Sequence, residues 1–117
     1  MKYISLLFLS LVLSACDNAS QQWDITDATK SHRLLLKSNT GSNANVHAIK
    51  IKAMGHVKGD ATLTLLLNEE PYLTKTIQGN FSVNWDNDWY SNEATIIYTP
   101  NNVAEGQFSL SYQFLAL

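Results

Sequence analysis

The sequence predicts an all-β domain, a small antiparallel β-sandwich of about seven strands, with a small β-barrel as the alternative closure. Three observations predict it. Apolar and polar residues alternate in short runs, turn-forming residues recur at spacings near ten residues, and no segment keeps apolar residues at helical spacing with caps at both ends. Composition agrees. Hydrophobic residues make up 45% of the 117-residue chain and charged residues 15%, less than the quarter or so usual in globular proteins, which argues against a disordered chain.

The strands are read in order along the chain. A first strand is expected over residues 31–37 and a second over 46–54, parted by a loop rich in Ser, Asn and Gly at 38–45. In the second strand Ile49, Ile51 and Ala53 share one face and Lys50 and Lys52 the other, so one face packs inward and one meets water. Lys58, Gly59 and Asp60 look like a hairpin turn into a third strand over 61–67, in which Leu63, Leu65 and Leu67 share a face. The next turn is Asn68, Glu69, Glu70 and Pro71, since proline is a poor fit inside a central strand. Residues 72–77 form a fourth strand that Gln78 and Gly79 end, and 80–85 a fifth with Phe81, Val83 and Trp85 on one side. A loop over 86–92 leads to a sixth strand, 93–99. After a connection marked by Pro100, Asn101, Asn102, Glu105 and Gly106, the seventh, 107–114, sets Phe108, Leu110, Tyr112 and Phe114 against Gln107, Ser109, Ser111 and Gln113.

Ahead of this domain lies a different kind of segment. Lys2 is followed by an apolar run over residues 4–13 that only Ser5 and Ser10 interrupt, the charged and apolar regions of an export signal. As a helix it would rise about 15 Å, half the hydrocarbon thickness of a bilayer, too short to span one. The run closes on Leu13, Ser14, Ala15 and Cys16, which resembles the lipobox of bacterial lipoproteins. That resemblance implies cleavage after Ala15, a diacylglyceryl group on the Cys16 sulfur and an acylated (palmitate-type) amino terminus. Asp17 resembles an inner-membrane retention signal, which implies the periplasmic face of the inner membrane, with the outer membrane as the alternative. Cys16 is the one cysteine in the sequence, as expected where a thiol carries lipid rather than a disulfide. The organisation expected is therefore a signal peptide at 1–15, a lipidated cysteine and flexible tether at 16–22, and a single domain at 23–117.

With a net charge of −2 the chain lacks the basic surface that nucleic acid binding requires. Lysines and the arginine crowd the first half and carboxylates the second, the pattern of two solvated faces. Glycine-rich phosphate loops, nucleophile elbows and cysteine nucleophiles are missing, and Asp60, Glu69 and Glu70 lack the fixed separation that paired carboxylates need, so no enzymatic activity and no catalytic residue are expected. His32, His47 and His56 are not at zinc spacing. Asp86, Asn87 and Asp88 offer an oxygen cluster of the kind calcium takes, but without the other ligands of a complete loop. No metal site is therefore expected, and no cofactor beyond the lipid on Cys16.

The most distinctive patch is aromatic and acidic: Trp85, Asp86, Asp88, Trp89 and Tyr90, with Tyr98 on the following strand. Rings beside acidic and amide side chains anchor a protein partner or stack on a sugar; the same tryptophans serve equally as core and as a cover over the end of a sandwich. The expectation is a membrane-anchored, non-catalytic envelope protein that binds a protein partner as an accessory subunit, inhibitor or immunity factor. Carbohydrate or small-ligand binding and a structural envelope role are the alternatives.

Overall fold

A computed structural model describes residues 20–39 and 45–117. The export signal, Cys16, residues 17–19 of the expected tether and the middle of the loop at 38–45 lie outside the described residues.

The described chain is all β and contains no helix. Five strands form one antiparallel sheet: β1 (Gln21–Ile25), β2 (His32–Lys37), β3 (Val46–Leu67), β4 (Glu70–Asp88) and β5 (Glu93–Ala116). The order is β1-β5-β3-β4, and β2 pairs with β5 beyond the end of β1. The count is five rather than seven because three predicted turns are bends inside continuous strands. At Lys58, Gly59 and Asp60, at Gln78 and Gly79, and between Pro100 and Gly106 the ladders continue through register shifts. Gly59 has φ 126° and a side-chain carbon there would lie 1.6 Å from the Asn102 carbonyl oxygen, so the residue that reads as a turn former makes a close-packed bulge instead. The prediction also missed β1, which starts at Gln21 and so takes in two residues read as tether; its QQWDI sequence has little of the alternation that marks the other strands.

These strands are too long to be straight. Twenty-four residues of β5 would span about 80 Å at 3.3 Å each. Tyr98 and Phe108 are ten positions apart on β5, about 33 Å along a straight strand, yet their ring centroids are 4.9 Å apart. The sheet therefore folds over itself at the bulges, as strands do at the corners of orthogonal packings. One layer holds β1, the first part of β3 and the last parts of β4 and β5; the other holds β2 and the remaining halves.

The core lies between the layers and follows the predicted alternation. Ile49, Ile51 and Ala53 are buried with Leu63, Leu65, Phe108, Leu110, Tyr112 and Phe114, while Lys50 and Lys52 are exposed. Leu67 departs from its predicted face and is 42% exposed, because it is the last residue of β3 at the hairpin tip. That hairpin is tighter than predicted: Asn68 (φ 54°) and Glu69 (φ 65°) form a two-residue turn of the type that matches strand twist. Pro71 falls in β4, an edge strand, where its missing N–H is tolerated. Gly55 sits between Phe81 and Phe108 in register, and those rings meet edge to face at 5.8 Å. A side-chain carbon at Gly55 would come within 2.5 Å of the Phe108 Cβ.

The fold-over decides which termini and loops meet. Both ends of β4 return to one end of the sandwich, and with them come the β3–β4 hairpin, the β4–β5 loop, the C-terminus and the start of β1. The other end is the bulged corner, crossed by the segment between β1 and β2. There the Ala28 N–H donates to the Gly106 carbonyl at 3.0 Å and the Ala28 carbonyl accepts from Tyr98 Oη at 2.8 Å.

Candidate functional site

The predicted binding residues separate into three groups in space. Tyr98 is 0% exposed, bonded to Ala28 at the corner; it belongs to the core and does not join the loop. Trp85 faces inward on β4 opposite Ile51 and packs half-buried against the core. Asp86 and Asp88 point outward from β4 opposite Lys50 and Ala48, with Asn87 on the other face. The predicted loop thus begins three residues later than Asp86, at Trp89, and the alternation of the strand parts the three oxygen-bearing side chains that would have to converge on calcium.

Trp89 closes the end of the sandwich. Its ring is 5% exposed and Nε1 donates to the Glu93 carbonyl at 2.8 Å. Its backbone N–H donates to the His47 carbonyl at 3.1 Å, and the Ser38 N–H donates to the Asn92 carbonyl at 2.8 Å. The loop is therefore tied to β3 and to the end of β2. A tied loop holds the next side chain out rather than folding it back, and Tyr90 is 78% exposed.

The hairpin tip completes the site. Tyr72, 45% exposed, sets its ring 6.4 Å from that of Trp89. Leu67, Tyr72, Asp88, Trp89 and Tyr90 line a groove of about 390 Å³ with Asn68 and Ser91. Leu67 and Tyr72 were not singled out from the sequence, because their proximity to Tyr90 depends on β4 folding back on itself. A signal was present: two β runs joined only by Gln78 and Gly79 fit a corner as well as a hairpin. The rim is acidic, with Asp88, Glu70 and Glu93 at this end and Glu69 paired to Arg33 at 3.0 Å.

The other candidate groups stay apart. His32 Nε2 lies 2.9 Å from the Asp27 carbonyl at the corner, His56 Nδ1 lies 2.9 Å from Asn80 Oδ1 on an outer face, and His47 is exposed near the opposite end. Among the described residues no three His, Cys, Asp or Glu side chains are grouped to hold a metal. Asp60 is in the bulged corner and Glu69 and Glu70 at the hairpin tip, so these carboxylates do not form a pair. The Thr29 side chain and backbone N–H hold the exposed Asp27 carboxyl below its usual range, with Lys30 adding to the effect.

No family model and no curated protein sequence matches this chain. Solved structures do resemble it. PirA aligns with a TM-score of 0.53 and 11% identity over 89% of this chain and 99% of that one. Tobacco streak virus coat protein aligns at 0.52 and 11% over 92% of this chain and 90% of that one. At such identity the likeness is one of fold alone.

Proposed function

We propose that this is a lipid-anchored, non-catalytic protein of the bacterial envelope whose sandwich binds a protein partner through the groove at the end of the fold. The observation that carries the reading is the exposed apolar cluster of Leu67, Tyr72 and Tyr90 around the fixed ring of Trp89. Large, rigid aromatics in a groove lose little conformational freedom on binding and dominate interface energies. The acidic rim favours a partner segment that carries positive charge beside its apolar anchor.

Site-specific photo-crosslinking from position 90 in the native cells tests this, with position 29 at the opposite end as control. A discrete protein adduct is expected from position 90 alone, and its loss in a Tyr72→Ala variant. The same adducts from both positions remove the groove from the mechanism. Neither tyrosine is buried, so the double variant Tyr72→Ala, Tyr90→Ala should keep its fold and lose the partner; Trp89 is unsuited to this test.

A second reading has its own support. Asn68, Asp88 and Ser91 place hydrogen-bonding groups beside the two tyrosine rings, the combination that grips a sugar. Glycan-array binding that the double tyrosine variant abolishes would favour a carbohydrate ligand over a protein.

A further inference from the structure

The free edges of the sheet are guarded unequally. β2 carries Arg33 and Lys37, both exposed, and β1 is only five residues long. The first half of β4 has Pro71 and Lys75, the lysine opposite the buried Leu63 and therefore a charge on the inward row. Short length, proline and inward charge are the devices that keep a second chain from adding to an exposed strand. The second half of β4 has none of them. Residues 79–85 are without charge or proline, Asp86 and Asp88 stand on the outward row at the far end, and no described strand lies on the outer side.

This stretch is also symmetric in kind. From Val83, the middle of residues 79–87, it reads polar, aromatic, polar in both directions: Ser82, Phe81 and Asn80 one way, Asn84, Trp85 and Asp86 the other. An antiparallel copy related by a two-fold axis at Val83 sets Phe81 opposite Trp85, Ser82 opposite Asn84 and Asn80 opposite Asp86, each pair twice. Inward residues then meet inward residues and outward meet outward, as the period of two requires. Aromatic pairs are favourable across strands, and no like charges are opposed. Registers that set Asp86 against itself or against Asp88 are excluded by repulsion. The two rings are incompletely covered as well. Phe81 and Trp85 are only partly buried against the core, whereas Val83 between them is 6% exposed; a neighbouring strand would remove more of their apolar surface from water.

We propose that the second half of β4 pairs with its counterpart in a second copy of this chain about an axis at Val83, joining the two β1-containing layers into one continuous sheet. The contact needs neither a ligand in the end groove nor any particular attachment upstream of β1. Antiparallel pairing points the two β4 strands in opposite directions, so the grooves open at opposite ends of the dimer.

Sedimentation equilibrium of the full-length chain in density-matched detergent tests this by reading the protein mass over a concentration series. The mass should double from one chain to two. Ser82→Lys with Asn84→Lys opposes ammonium groups at both copies of that pair and should hold the mass at one chain. Ser82→Lys with Asn84→Glu sets opposite charges at the same pairs and should return the dimer. Both positions are exposed, so the far-ultraviolet circular dichroism of each variant should match the parent. A parent that stays a single chain at the highest concentration overturns the proposal and leaves this edge to a strand from another protein. Two chains in the double lysine variant, the result expected if chains merely share a micelle, overturn the edge as the contact. A single chain in both variants overturns the register at Val83.

Discussion

Trp89 and Tyr98 both look like binding residues in the sequence and both hold the fold. Removing the Trp89 ring takes away the cover over one end of the core and the bond to the Glu93 carbonyl. Trp89→Ala should therefore cost about 3 to 5 kcal/mol in urea unfolding, the usual range for a buried aromatic, and a cost under 1 kcal/mol would mean the end is not closed by this ring. Tyr98→Phe keeps the packing on Phe108 but leaves the Ala28 carbonyl without its partner, which should cost about 1 to 3 kcal/mol. Burial also pushes the Tyr98 hydroxyl above its usual pKa near 10. Burial does the same to Tyr112, partly offset by hydrogen bonds. The direction fixes the pH dependence. A group that holds its proton more tightly when folded contributes stability below about pH 10, and that contribution is lost as pH rises toward the raised folded value. Stability measured by urea titration should fall as pH climbs from 10, and less steeply in Tyr98→Phe; an unchanged slope would assign alkaline unfolding to other groups.

At the scale of elements, the bulged corner makes two layers out of one sheet. Gly59 is its tightest point, with positive φ and the Asn102 carbonyl against its open side. Gly59→Val adds a β-branched side chain where φ is wrong and no space exists, a cost of about 2 to 4 kcal/mol from backbone strain and overpacking together. The melting temperature should drop accordingly, and a variant as stable as the parent would show that the corner can open. The long edge of β4 is unpaired among the described residues; Pro71 and the exposed Lys75 are the kind of residues that discourage a second chain from adding along its first half. Legibility follows from the same geometry. Alternation gave the faces of residues 46–54, 61–66 and 107–114 because each pleat has one dry side. It could not separate a turn from a bulge at Gly59, Gly79 or Pro100, since the same backbone freedom serves both. Nor could it place Leu67 and Tyr72 beside Tyr90, since only the return of β4 across the corner brings those ends together.

For the whole molecule, sharing three strands between two layers leaves no layer able to fold alone. Unfolding should be a single transition, with tryptophan fluorescence and far-ultraviolet circular dichroism coincident in urea; two separated midpoints would contradict a shared corner. Refolding should be slow for the size, milliseconds to seconds, because nearly every ladder joins distant segments and β1 pairs with the last strand. Stopped-flow refolding complete within microseconds would be incompatible with this topology.

β1 has one further consequence. It is a five-residue strand at the rim, bonded to β5, and it connects the body to whatever holds the chain upstream. In the proposed state, with a lipid upstream and a partner in the groove, tension between the two would cross that short ladder, making the strand a mechanical fuse: under load it should peel away before the corner yields, lengthening the leash while the groove keeps its grip.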